Sequence, residues 1–331
     1  MKLLDWVENS GAIRWLTSTE YWYDRMESQS GRSLPVLYRE FDLTNASDWR
    51  DEGRIVDFLV STESTGSTVL DFGPGDGWPS LRMAPYVAEV VGVDASARRI
   101  EVCTQNAADL AIDNACFVQT DTGGSLPFDD ETFDAAVAGS SIEQSPDPFA
   151  VLRELWRVLK PGGRLRFCFE SLDRYRGERE TEGRIREGMT GTTEVEVWLR
   201  DLDRERATMA RLTLSIDALE AARLLRAEDC WFDPSVLDET VLGELSGSIV
   251  DVEGCRLRHP NCRSYLEQLR LTGFSHATAT RDGGTAAEQG FHGARRTTIE
   301  THDQLRFYLL PIVTHAISQE IPDSEWITAV K

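Results

Sequence analysis

The chain has 331 residues, 41% of them apolar, enough to build a core for one large α/β domain or two modest ones. Its formal net charge is −21, from 56 acids against 35 bases, so like charge disfavours nucleic acid and anionic membrane surfaces as partners. The first residues, Met-Lys-Leu-Leu-Asp-Trp, carry no sustained apolar run, and no stretch has the uninterrupted apolar length of a membrane span; a cytoplasmic protein without membrane insertion is the expectation.

Residues 1–66 read as mainly helical and end in a Ser/Thr/Gly linker at 61–68. Next comes an apolar strand that closes on Asp71, followed by glycines at 73, 75 and 77, with Pro79 suited to the first turn of a helix reaching residue 87. A buried strand at 90–93 ends at Asp94, a helix covers 97–110, and a strand at 116–120 ends at Asp121. A strand at 133–138, a helix at 148–159 closed by Lys160-Pro-Gly-Gly163 and a strand at 164–169 follow. Strand and helix in alternation imply a parallel sheet with right-handed crossovers. From 170 to about 260 the rhythm breaks, and 192–200 with 206–215 read as an antiparallel hairpin. The chain then returns to a helix at 261–271, a strand at 274–280, a glycine-rich loop at 282–296, a helix at 302–320 and a last strand at 326–331.

The segment Val-Leu-Asp71-Phe-Gly73-Pro74-Gly75-Asp-Gly77 is a nucleotide-cofactor loop, since glycine allows sharp turns and close backbone approach. A dinucleotide fingerprint also follows a strand, but it uses G-x-G-x-x-G to set a pyrophosphate on a helix N-terminus. Here the third glycine is Gly77, and the acid at 71 would repel pyrophosphate. That acid suits the ammonium of an amino-acid-like cofactor, and S-adenosylmethionine has one.

Further motifs follow in order: Val-Val-Gly-Val-Asp94-Ala95-Ser, Thr-Asp121-Thr122 with Leu-Pro-Phe128, Phe133-Asp-Ala-Ala-Val, and Leu-Lys-Pro-Gly-Gly163. With these, residues 69–170 resemble a class I S-adenosylmethionine-dependent methyltransferase, closest to the small-molecule branch that includes ubiquinone and menaquinone methyltransferases. The resemblance implies a Rossmann-like seven-stranded sheet with helices on both faces, S-adenosylmethionine as cofactor and a small-molecule acceptor. It divides the chain into a helical N-terminal cap at 1–66, a cofactor-binding core at 67–170, an α+β insert at 171–260 and a completion of the sheet at 261–331. The hairpin in the insert then either packs over its own active site or mediates a homodimer.

In an open parallel sheet the ligand sits at the carboxyl ends of the strands. Asp94, at such a tip, accepts both ribose hydroxyls, or else caps the helix beginning near residue 97. Asp121 accepts from the adenine amino group with Thr122 beside it, or is a plain turn acid. Gly139 and Ser140 stand where the family brings backbone near the methionyl part of the cofactor, although Gly139 has a packing explanation too. Glu143 and Glu170 are the candidate catalytic acids, able to orient or deprotonate an acceptor. Around Glu143 some family members bind a divalent metal through two acids and a histidine; Ser140 and Gln144 occupy two of those three positions here, so no metal is expected. Tyr21, Tyr23 and Trp78 are candidates for a lid or pocket wall, against the plainer reading that clustered aromatics are core.

The six cysteines are scattered and read as reduced thiols; Cys255, His259 and Cys262 offer a C-x3-H-x2-C spacing that lacks a fourth ligand. The acid-rich, lysine-poor composition fits either a high-salt cytoplasm or a genome that writes Arg for Lys. The functional alternative is a non-catalytic S-adenosylmethionine-binding sensor or partner subunit on the same fold. A dehydrogenase ranks third because of the glycine spacing.

Overall fold

The computed structural model describes residues 13–23, 41–121, 125–177, 179–188, 191–293 and 299–331. Its strands, in chain order, are β1 (Ile13–Leu16), β2 (Thr68–Phe72), β3 (Glu89–Asp94), β4 (Ala115–Gln119), β5 (Phe133–Gly139), β6 (Leu159–Cys168), β7 (Thr181–Glu187), β8 (Thr193–Asp201), β9 (Arg206–Leu214), β10 (Trp231–Phe232), β11 (Ile249–Arg258), β12 (His276–Ala279) and β13 (Trp326–Val330). They fall into two sheets, and the chain divides into two units, 30–171 with 260–331 and 1–29 with 172–259.

The first, core unit holds a seven-stranded sheet of order β12-β13-β6-β5-β2-β3-β4. β2 to β6 run parallel to one another, while β13 is antiparallel to β6, with Trp326 opposite Cys168. Strands buried on both faces read as near-continuous apolar runs, and β5 does so with Ala135, Ala136, Val137 and Ala138 all inaccessible. Because side chains alternate, Leu70, Ala136, Leu165 and Phe167 enter one core with Leu152, Leu155 and Tyr265 of the helices Pro148–Val158 and Cys262–Thr272. Val69, Val90, Ala135 and Val137 enter another with Ile55 and Phe58 of the helix Ala46–Ser61. The expected seven-stranded α/β fold with helices on both faces is the one observed.

Side-chain caps set where these helices start. Asp147 accepts from the backbone N–H groups of Phe149 and Ala150 at 3.0 and 3.1 Å with Pro148 in the first turn, and Asn261 accepts from Ser264 N–H at 3.0 Å. On the face of the sheet that packs the helix Ala46–Ser61, Arg166 and Asp57 form a fully buried two-point ion pair at 2.8 Å for each contact, and Gly283 N–H and Ser61 Oγ donate to the same carboxylate.

The described part of the segment 282–296, up to residue 293, is not the loop read from its glycines. Gly283–Gly293 is a helix, with Asp282 accepting from the N–H groups of Gly284 and Thr285. Its small residues serve close packing: a Cβ on Gly53 of the helix Ala46–Ser61 would lie 2.3 Å from Ala287 Cβ. Nor do residues 1–66 form one helical cap. Ile13–Leu16 is a strand paired in parallel with β11 of the other unit's sheet, whereas Ala46–Ser61 belongs to the core, so the described part of that segment is shared between both units.

The second unit is built on a six-stranded sheet of order β1-β11-β9-β8-β7-β10. The expected hairpin is present as β8 and β9, with Asp201 opposite Arg206. One face packs Val195, Val197, Leu212, Leu214 and Val252 against Ala221, Leu242 and Leu245 from two short helices. The opposite face carries a charged row in register across four strands, Glu196, Arg211, Glu253 and Arg14. Arg211 lies 3.1 Å from Glu196 and 3.5 Å from Glu253, and Arg14 also pairs with Glu253, so the two guanidiniums together balance the two buried carboxylates. No helix among the described residues is long and apolar enough to cross a membrane.

Candidate functional site

Parallel register places the carboxyl ends of β2 to β6 along one edge of the core sheet: Phe72 is opposite Val93, Asp94 opposite Gln119, and Gly139 opposite Cys168. Chain order reverses there, since β3 flanks β2 on one side and β5 on the other. Ligands of open α/β sheets bind at this switch point.

The loop after β2 is held in a conformation that only glycine adopts easily, with φ of +75° at Gly73, +58° at Gly75 and +108° at Gly77. A Cβ on Gly73 would lie 2.3 Å from Ser141 Cβ, so this glycine also admits the chain after β5. Gly75 is different, because a Cβ there would meet nothing within 4 Å, and the loop faces open space at that point. The helix Ala97–Asp109 pins the loop from below. Cys103 Sγ donates to Gly75 O at 3.0 Å, Asn106 Nδ2 to Asp76 O at 2.7 Å, and Arg99 pairs with Asp76. Those three anchors were not picked out from sequence; their spacing of three and four along one helix face was the available signal.

Asp71 is 0% exposed. Ser80 Oγ and Ser80 N–H both donate to its Oδ2, at 2.5 and 3.2 Å, while Oδ1 has no hydrogen-bond partner among the described residues. Burial, with Asp94 adding repulsion, pushes its pKa up to about 7. A buried carboxylate with one open oxygen is suited to a cationic ligand group.

Asp94 is half-buried and accepts from Ser96 N–H at 2.9 Å. The cap of the helix Ala97–Asp109 is Ser96, whose Oγ accepts from Arg99 N–H at 3.3 Å, so the capping alternative for Asp94 falls away. Ala95 is half-buried and takes the Gln119 amide on its carbonyl at 3.2 Å, and Pro74 is buried. Asp121 is exposed past the tip of β4, and Thr122 lies outside the described residues.

The match to known proteins covers this same stretch, with residues 70–167 fitting the model of a methyltransferase domain. Within the core unit, residues 70–167 are thus similar to a methyltransferase domain. Among curated relatives, an uncharacterized methyltransferase of Bacillus subtilis, YcgJ, is 35% identical over 127 residues, 36% of this chain and 50% of that protein. The 27-O-demethylrifamycin SV methyltransferase of Amycolatopsis mediterranei is 35% identical over 101 residues, 30% of this chain and 37% of its own. A demethylmenaquinone methyltransferase of Lactiplantibacillus plantarum is 32% identical over 163 residues, 48% of this chain and 65% of its own. The chain thus spans from about a third to two thirds of the length of these relatives.

In the core unit, the segment after β5 turns sharply at Ser140, with φ of +54°, and Ser141 Oγ donates to Phe72 O at 2.5 Å. Glu143 follows in a 3-10 turn and is 0% exposed. Its Oε1 accepts from Glu170 N–H at 3.0 Å, and its Oε2 has no partner among the described residues. Burial, reinforced by Glu170 and Glu325, drives its pKa up to about 8, so the carboxyl is neutral at pH 7. Glu170 is half-buried at the end of β6.

Trp78 walls the domain from within. Its ring lies edge-on to Phe58 at 5.8 Å, and a Cβ on Gly139 would come within 2.9 Å of it, which gives Gly139 a packing requirement. Tyr21 is core and not a lid: it belongs to the other unit, 1% exposed, with the Arg211 guanidinium 4.2 Å from its ring. Tyr23 closes the same short π-helix, and its side chain lies outside the described residues. Cys255 and His259 fall in one unit and Cys262 in the other, and no group of three or more metal-ligating side chains gathers among the described residues.

Proposed function

We propose that the chain transfers the methyl group of S-adenosylmethionine to a small-molecule acceptor, by in-line displacement at the sulfonium methyl. The observation that carries this reading is the open, buried oxygen of Asp71 directly beneath a glycine loop that faces empty space at Gly75. The residues fit the cofactor: Asp71 for the ammonium, Gly73, Pro74 and Gly75 for backbone approach, Asp94 and Ala95 for the ribose, Asp121 and Thr122 for adenine, and Gly139 and Ser140 beside the methionyl part. When bound, S-adenosylmethionine supplies an electrophilic methyl group.

The chain supplies position and a proton acceptor. Fixing the acceptor in line accounts for on the order of 7 kcal/mol of the barrier in favourable cases. Glu143, held by the Glu170 N–H and with a pKa of about 8, is protonated at pH 7, where it orients an acceptor by a hydrogen bond, and becomes a base for the acceptor's proton as pH rises through 8. Glu170 at the end of β6 orients it. The names of the relatives, demethylmenaquinone and 27-O-demethylrifamycin SV methyltransferases, support a small organic acceptor.

The test is calorimetric titration with S-adenosylhomocysteine and with NAD, followed by mass spectrometry of a panel of phenols, thiols and amines incubated with S-adenosylmethionine. Binding of S-adenosylhomocysteine and a product heavier by one methylene are expected. Binding of NAD without S-adenosylhomocysteine would overturn the reading.

A further inference from the structure

A cavity of about 710 Å³ opens at one end of the six-stranded unit. Its floor is a single transverse row, Thr181 on β7, Leu199 on β8, Thr208 on β9 and Arg256 on β11, each directly opposite the next in the register. Residues opposite one another on neighbouring strands share a face, so both threonines and the arginine present on the same surface. Two residues along, Asp201 and Arg206 form the next row on that face, and Arg204 comes from the turn between β8 and β9.

Charge at this cavity runs opposite to that of the molecule. Five arginines, at 176, 200, 204, 206 and 256, line it against three acids, Glu180, Asp201 and Asp203, in a chain of net charge −21. Two of the acids pair with arginines of the cavity, Asp201 with Arg204 at 3.7 Å and Asp203 with Arg176 at 3.9 Å, and Glu180 accepts from Gly177 N–H at 3.1 Å, which leaves Arg206 without a carboxylate from this set. Two guanidiniums are held flat against rings, Arg256 at 3.8 Å from Trp15 and Arg200 at 3.8 Å from Tyr175, and Arg200 is further fixed by Arg179 O and Glu182. No side-chain hydrogen bond or ion pair ties Arg206, Thr181 or Thr208 to another described residue.

The surface therefore offers an arginine fork and two hydroxyls whose donors are unspent, within a rim of fixed positive charge. Such a set matches the acceptor oxygens of a tetrahedral oxyanion and is repelled by a cation. We propose that this cavity binds the phosphate or sulfate ester group of a small molecule, with Arg206 as its principal contact and Thr208 and Thr181 as hydroxyl donors. The site lies wholly within the six-stranded unit and stands apart from the methyltransferase reading.

Calorimetric titration of the full chain at low ionic strength, with inorganic phosphate and inorganic sulfate in separate runs, tests it. One saturable site is expected, with the tighter anion identifying the ester class. Arg206→Ala should weaken it about tenfold or more, the loss of one charge-assisted contact. Arg206→Lys should retain most of the affinity, Thr208→Val should weaken it, and Arg263→Ala, on the core unit, should leave it unchanged. Absence of saturable binding of either anion, or an Arg206→Ala protein that binds as the parent does, would overturn the proposal.

Discussion

Ser80 donates its hydroxyl and its backbone N–H to one oxygen of Asp71, at 2.5 and 3.2 Å, and leaves the other oxygen of that buried carboxylate unpartnered among the described residues. With a pKa of about 7, Asp71 is partly protonated at neutral pH. A ligand ammonium favours the ionised form, so binding below that pKa requires a proton to leave. Affinity for S-adenosylhomocysteine should therefore rise from pH 6 to pH 8, by at most about tenfold per unit. Asp71→Asn should bind weakly with a flat pH profile. A parent affinity that is independent of pH would separate Asp71 from the ammonium.

Asp94 and Ser96 have separable duties. Asp94→Ala should cost about a hundredfold in S-adenosylhomocysteine affinity, the loss of two hydrogen bonds to a charged acceptor, with little change in melting temperature. Ser96→Ala removes the cap of the helix Ala97–Asp109 and should cost about 1 kcal/mol of stability. Near-normal affinity in the Asp94 variant would remove the ribose assignment.

Glu143 links stability to pH. Its folded pKa of about 8 lies above the ordinary 4.5, so between those values the native state retains a proton that the unfolded chain releases. Stability from this group is fully present below pH 4.5 and is lost as pH rises through 8, by up to about 1.4 kcal/mol per unit. Glu143→Gln cannot ionise, so its stability relative to the parent should improve from pH 5 to pH 8 in urea unfolding. An equal difference at both values would refute the burial argument.

Gly139 and Trp78 should be energetically coupled. A methyl at 139 would lie 2.9 Å from the indole, so Gly139→Ala should cost about 1–3 kcal/mol by overpacking. Trp78→Phe opens room, and the double variant should lose less than the sum of the single losses. Strict additivity in a thermal double-mutant cycle would show that the contact is not the constraint.

Much of the core was legible because its signals are local. The glycines at 73, 75 and 77 are required by positive φ, strand ends are marked by Asp71 and Asp94, and hydrophobic runs at β2, β3 and β5 have no other use than burial on both faces. Identity at those positions fixes backbone geometry and local chemistry, and the order of strand and helix fixes a parallel sheet. What only tertiary structure decided depends on neighbours distant along the chain. Gly283 and Gly284 looked like loop residues until the helix Ala46–Ser61 was packed against them, Ile13–Leu16 became a strand because β11 supplies its hydrogen-bond partner, and Tyr21 became core because Arg211 and its sheet surround it. Glu143 is a candidate acid in sequence by its place after the fourth core strand, but its burial, the Glu170 N–H and an unsatisfied oxygen come from the packed chain, because desolvation is a property of the fold and not of the residue.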